Sequence, residues 1–228
     1  GTNRFKALFL TFNFLREMDS VKTLNVKIPD LKILKKWIDQ SEQLSNDSLI
    51  KFFLEVNANE KLELETVIAW SEDVNRMVEV TAVNLPPIKG ALEAMNMLKN
   101  RADLVVISNT PVDTLNREWS ENNIDNNILY IGGQETGTKT EMLKAVAENK
   151  YVSEKILIIG DSPGDLKAAQ NINALFFPIL SLQEESSWDE FNKVGYEYFI
   201  NDSFIGEYQN NQIKKFKSLL NISPPWKN

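Results

Sequence analysis

Apolar residues recur every three or four positions through the first eighty residues of the chain. Leu31, Leu34, Trp37 and Ile38 share one helical face behind Pro29, a residue suited to a helix start. Leu49, Phe52, Phe53 and Val56 repeat the spacing behind Asn46 and Asp47, which are the expected cap. Leu62 to Val80 runs without Gly or Pro and carries Val67, Ile68, Trp70, Val74, Met77 and Val78, which predicts one long helix. No strand is expected between Asp19 and Val80.

Pro86 and Pro87 mark a boundary, and the pattern changes after them. A helix near Ile88–Asn100 leads into a short apolar run, Ala102–Ile107. Further apolar runs follow at Ile128–Ile131, Lys155–Ile159 and Ala174–Phe177, with helical stretches between them after Pro111, from Thr138 to Asn149 and from Pro163. A helical tail is expected over about Asp202–Leu220. Short, near-continuous apolar strands alternating with helices predict a parallel sheet covered on both faces. The expected organisation is therefore an all-helical domain over residues 1–82 and an α/β domain over residues 83–228.

Composition then restricts the chemistry. The 228 residues contain no cysteine and no histidine. A thiolate nucleophile, a Cys-based metal site, a Ser-His-Asp triad and an imidazole base are all excluded. Carboxylates, lysines, hydroxyls and backbone N–H groups remain, and any metal must be a hard, oxygen-preferring ion such as magnesium. The net charge of −7, without a basic block, argues against nucleic acid as a partner. No apolar run is long enough to span a membrane and no signal peptide is evident, so a cytoplasmic location is expected. Gly1-Thr2-Asn3, with no Met, reads as an expression scar on a chosen start point.

Three strand-to-helix corners carry the candidate chemistry, because ligands of parallel sheets gather at the carboxyl ends of the strands. At Ile107-Ser108-Asn109-Thr110-Pro111 a buried strand ends in small polar residues. Pro111 suits the first helical position with Thr110 as its cap, and free N–H groups there favour an anion such as phosphate. A capped corner with no ligand explains the same residues. At Gly137-Thr138-Lys139-Thr140-Glu141, Thr138 and Glu141 fit a capping box, and Lys139 stands in a first turn where the helix dipole disfavours a cation. A solvated surface lysine is the plain alternative. At Ile159-Gly160-Asp161-Ser162-Pro163-Gly164-Asp165, capping accounts for Ser162 and Asp165 but not for Asp161. Two carboxylates four residues apart at a strand end can hold Mg²⁺ directly or through its water.

The order strand-Ser-Asn, then Lys, then strand-Gly-Asp-x-x-x-Asp resembles the haloacid dehalogenase superfamily over about Leu85 to Phe177. Ser108, Lys139 and Asp161 follow one another at intervals of 31 and 22 residues, which are similar to that family's. The resemblance implies a Rossmann-like three-layer core with a parallel sheet. It implies an all-helical cap domain inserted after the first motif, and phosphoryl transfer through an aspartyl-phosphate. It further implies that Ser108 and the N–H of Asn109 bind the phosphoryl group, and that Lys139 neutralises charge. Asp161 would ligate Mg²⁺ and Asp165 would support the metal site. The partner so implied is a small phosphorylated substrate, and the cap would close over it and exclude water. A dehalogenase of the same superfamily needs no magnesium, which the Asp161 and Asp165 pair argues against.

The family's first motif, a strand ending Asp-x-Asp that supplies nucleophile and general acid/base, has no counterpart in the sequence. In one reading Ala7–Leu15 is that strand with its motif eroded, Leu10 and Phe12 standing at the aspartate positions. In the other, Asn3–Met18 is the first cap helix, with Phe5, Leu8, Phe9, Phe12 and Leu15 on one face, and the motif strand lies upstream. The second reading is preferred. The sequence thus suggests a magnesium-dependent phosphatase whose catalytic aspartates lie outside this chain. The alternative is a non-catalytic protein of the same fold that binds a phosphorylated ligand or a partner.

Overall fold

The computed structural model describes residues 3–42, 44–81, 83–147 and 149–220. They divide into two compact units, one within residues 1–83 and the other within residues 84–221.

The first unit is helical: α1 (Arg4–Glu17), α2 (Asp19–Thr23), α3 (Lys32–Gln40), α4 (Asn46–Glu55) and α5 (Ala58–Thr81). The Asn3 side chain starts α1 by accepting a 3.0 Å hydrogen bond from the N–H of Phe5. Phe5 is buried, edge-on to Trp37 with ring centroids 4.9 Å apart, in a cluster with Leu31, Leu34, Leu49, Leu64 and Val67. Leu8, Phe9 and Phe12 pack against the same cluster, so the buried positions of this segment repeat at helical intervals. The reading of Ala7–Leu15 as a core strand is therefore overturned.

Two caps depart from expectation. The N-cap of α4 is Ser45, paired reciprocally with Ser48, one residue ahead of the Asn46 and Asp47 expected there. Asn46 instead accepts a 2.7 Å hydrogen bond from the buried Ser71 of α5. The N-cap of α3 is Leu31, in the left-handed region at φ 50°, and its side chain cannot cap. Glu63 of α5 substitutes, accepting from the N–H groups of Ile33 and Leu34 at 2.9 and 2.8 Å.

The second unit alternates helices and strands: α6 (Ala91–Leu98), β1 (Leu104–Ile107), α7 (Val112–Glu121), β2 (Ile128–Gly132), α8 (Lys139–Ala147), β3 (Leu157–Gly160), α9 (Pro163–Asn171) and β4 (Leu175–Pro178). Then follow α10 (Glu184–Glu190), a π-helical turn (Phe191–Gly195), α11 (Tyr196–Ile200) and α12 (Glu207–Leu219). β1 pairs parallel with β2, and β3 pairs parallel with β4 in the register Leu157 to Leu175. The parallel pairing expected from the sequence forms as two two-stranded sheets. Among the described residues no strand lies between β1 and β3, and each keeps one edge without a partner. The α/β class with parallel pairing holds, but the sheet is split in two.

β4 is the best covered strand. All four of its residues are buried, with Phe176 against Phe216 of α12 and Phe177 against Phe191 and Phe204. β3, with an equally apolar sequence, is only half-buried along its whole length.

Candidate functional site

The carboxyl ends of β1, β2 and β3 lie on one side of the second unit. The end of β1 joins that of β2 through Ser108 N–H to the Gly132 carbonyl, 3.0 Å, and Gln134 N–H to the Thr110 carbonyl, 3.1 Å. The segment after β2 joins that after β3 through Lys139, the first residue of α8, whose Nζ donates to Asp165 Oδ1.

At the third corner the structure forms the capping box read from the sequence. Ser162 N–H and Oγ donate to Asp165 Oδ2 at 2.9 and 2.7 Å, Asp165 N–H donates to Ser162 Oγ at 3.2 Å, and Pro163 takes the first helical position. Both oxygens of Asp165 are therefore engaged, one by the cap and one by Lys139. Burial acts to raise the Asp165 pKa, but the hydrogen bonds from Lys139 and Ser162 outweigh it and hold the carboxyl below its usual range. Gly160 is required by close approach. A Cβ there would lie 2.6 Å from both Cβ and Cγ of Asp165, so the strand end is bare where the carboxylate folds against it. Asp161 is exposed and makes no hydrogen bond or ion pair with any other described residue.

At the second corner Thr138 and Glu141 form the expected box. Thr138 N–H and Oγ1 each donate to Glu141 Oε2 at 2.8 Å, and the Thr138 N–H first, then its hydroxyl, lowers the Glu141 pKa. Lys139 is thereby presented at the helix start, its side chain one-fifth exposed.

The first corner differs from expectation. Pro111 is the N-cap of α7 rather than its first residue, and Thr110 does not cap it. Ser108 Oγ accepts from Thr110 N–H at 3.1 Å, which leaves the hydroxyl hydrogen available to another partner. The N–H of Val112, at the start of α7, donates to Glu135 Oε2 at 3.1 Å. A carboxylate thus already stands at the helix start where the sequence anticipates an anion. Hydrogen bonds from its own N–H and from Val112 hold the Glu135 carboxyl below its ordinary range. Gly133 permits this turn, since a Cβ there would lie 2.6 Å from the Thr110 carbonyl oxygen. Glu135 and Gly133 were not singled out by sequence, whereas Gly160 belongs to the strand-Gly-Asp-x-x-x-Asp pattern. The Gly132-Gly133 pair is the signal for Gly133, at a strand end where backbone must approach backbone.

The structure thus brings Lys139 and Asp165 into contact, with Asp161 exposed directly after β3. Ser108 and Asn109 stand at the neighbouring strand end without touching them. Among the described residues no three acidic side chains converge as a ready metal cage. Magnesium is commonly held by one or two carboxylates, waters and phosphate oxygens. The donor set fits such an ion through Asp161, the free carboxylate of the pair.

Residues 18–179 match the profile of the haloacid dehalogenase-like hydrolase family. No curated protein and no solved structure matches the chain. No helix among the described residues is long and apolar enough to cross a membrane.

Proposed function

Because the chain belongs to the haloacid dehalogenase-like hydrolases, we propose that it carries the phosphate- and magnesium-binding part of a phosphatase acting on a small phosphorylated molecule. The observation that carries this reading is the contact of Lys139 with Asp165, with Asp161 directly after β3 and Ser108 directly after β1. Hydrolysis of a phosphate ester consumes water and yields an alcohol and phosphate. It calls for charge neutralisation and positioning more than for unusual side chains, so a site without His or Cys is adequate.

Each residue has a task in this reading. The Ser108 hydroxyl and the Asn109 N–H donate to phosphoryl oxygens. Lys139 offsets their charge while the carboxylate of Asp165 fixes its ammonium. Asp161 would hold Mg²⁺, with Asp165 supporting that site from the capping box. Magnesium, when bound, supplies further neutralisation of the phosphoryl oxygens. The helical unit serves as a cap that excludes water. The attacking carboxylate is not among these residues, so the chain as given binds but does not turn over. The location in this reading is cytoplasmic.

Thermal unfolding with millimolar Mg²⁺ and orthophosphate together tests the reading. Binding to the folded state raises the apparent Tm, and the rise should vanish in Asp161→Asn and shrink in Ser108→Ala. No rise at 10 mM, or a rise unchanged in both variants, overturns it. Turnover of a generic phosphate ester by the chain alone, lost in Asp161→Asn, would overturn the claim that the nucleophile lies elsewhere.

A further inference from the structure

The carboxylates at the strand-to-helix corners differ in what they pair with. Asp165 is paired with Lys139, and Glu141 is closed into its capping box by Thr138. Glu135 accepts from its own N–H and, through Oε2, from the N–H of Val112 at 3.1 Å. The contact of its Oε1 with Gln134 Nε2 is 3.5 Å, longer than the roughly 2.7–3.2 Å of an ordinary N–H···O bond. No lysine or arginine among the described residues pairs with it. Where a carboxylate only caps a helix in this chain, at the start of α3, one oxygen of Glu63 takes two N–H groups, those of Ile33 and Leu34. Glu135 takes a single N–H from α7 and stays exposed.

Thr110 ties this carboxylate to the corner after β1. Its N–H donates to Ser108 Oγ at 3.1 Å, and its carbonyl accepts from Gln134 N–H, one residue before Glu135, at 3.1 Å. Thr136 N–H closes the turn on the Gly133 carbonyl at 3.0 Å. The loop lies tight against the start of α7, since a Cβ at Gly133 would come within 2.6 Å of the Thr110 carbonyl oxygen and 2.7 Å of the Val112 nitrogen. The hydrogen bonds that position the carboxylate also hold it ionised. A fixed negative charge therefore stands at the helix that follows Ser108 and Asn109. It offsets the positive end of that helix, which would otherwise draw a second anion.

We propose that Glu135 selects the alcohol part of the phosphate ester: it accepts a protonated amine on that part and rejects a second anionic group. The substrate class is thus an aminoalkyl phosphate rather than a phosphorylated acid or a bisphosphate. The proposal rests on the phosphatase reading, which places the phosphoryl group at Ser108 and Asn109. An ammonium group beside Glu135 supplies the cation that no described side chain provides. An anion there meets a like charge that the loop cannot move aside. Selectivity comes as much from that rejection as from the attraction. Both effects act between partly solvated groups, so each amounts to a few-fold in affinity and weakens with salt.

The test is calorimetric titration of the full chain with millimolar Mg²⁺ at low ionic strength. Four phosphate monoesters are compared: ethyl phosphate, 2-aminoethyl phosphate, 4-aminobutyl phosphate and phosphoglycolate. The tighter of the two amines is expected to bind about threefold better than ethyl phosphate or more, and phosphoglycolate about threefold worse or more. Both ratios should shrink at high salt. Glu135→Gln keeps an oxygen for the Val112 N–H but loses the charge, and should bring both ratios near unity. Glu135→Lys should invert them. A loosened corner would weaken all four esters alike and leave the ratios as they were, so the ratios separate selection from a purely structural role. Equal affinity for the four esters, with binding still lost in Asp161→Asn, overturns the proposal and leaves the phosphatase reading standing. Ratios that survive in Glu135→Gln overturn it as well. If neither the esters nor orthophosphate bind, the phosphatase reading and the proposal fall together.

Discussion

Two demands meet in the carboxylate of Asp165. Its Oδ2 closes the cap of α9 with Ser162, and its Oδ1 holds Lys139. The group is nearly buried, so loss of the lysine strands a charge with one hydrogen-bonding partner fewer. Lys139→Met should cost about 1–3 kcal/mol, the penalty of an unsatisfied buried polar group. In an Asp165→Asn background the same change should cost distinctly less, because no charge remains to be stranded. Urea denaturation of the two single variants and the double variant measures the coupling. Additive losses would show that the two side chains do not depend on each other. The box between Ser162 and Asp165 is legible in the sequence because its partners lie three residues apart. The ion pair is not, because Lys139 lies 26 residues away and only the packing of α8 against α9 brings the two together. The same separation in sequence hides Glu135 at the start of α7.

At the level of elements, periodicity resolves most of the chain but fails where two periods fit one segment. Residues 7–15 alternate as a strand and also recur as a helix, and the contacts of Phe5, Leu8, Phe9 and Phe12 with the Trp37 cluster decide for the helix. The start of α3 illustrates a different failure: its cap is Glu63, a residue no local motif could nominate. The segment between β4 and α12 carries no strong period, yet folds as α10, the π-helical turn and α11, held by aromatic contacts. One of these joins α11 to α12, where Tyr208 stacks on Tyr198 with ring centroids 4.2 Å apart. The Tyr208 hydroxyl is buried without a hydrogen-bond partner among the described residues. Burial first, and the nearby Glu190 charge second, push its pKa well above the ordinary value. The folded protein therefore keeps this proton more tightly than the unfolded chain. The stability linked to it is complete below about pH 10, the unfolded value, and is lost as pH rises beyond it. Denaturation midpoints between pH 8 and 11 should fall more steeply for the native sequence than for Tyr208→Phe. Because the hydroxyl is buried without a partner, Tyr208→Phe should be the more stable of the two at pH 7. Equal slopes would remove Tyr208 as the cause.

For the molecule as a whole, the change of pattern at Pro86 and Pro87 coincides with a change of architecture rather than with a loop inside one core. Residues 1–83 bury Phe5, Leu34, Trp37 and Leu49 together, while residues 84–221 bury a separate set that includes Phe176, Phe177, Leu166 and Phe216. Strand periodicity alone does not show the split sheet, since it reports which residues are apolar and not whether a neighbour exists to cover them; the missing first motif is what points to a lost strand. Two cores without shared buried residues imply two cooperative units. Phe5→Ala removes a wholly buried ring and should cost the helical unit about 3–5 kcal/mol. At roughly 4–8 °C per kcal/mol for a unit of this size, its midpoint falls by more than ten degrees. Leu166→Ala should cost the other unit about 2–5 kcal/mol. Calorimetry should therefore resolve two transitions, each displaced by one substitution and unmoved by the other. Hydrogen exchange should assign the Phe5-sensitive transition to α1, α3 and α5. A single transition that both substitutions lower would mean that the two cores unfold as one.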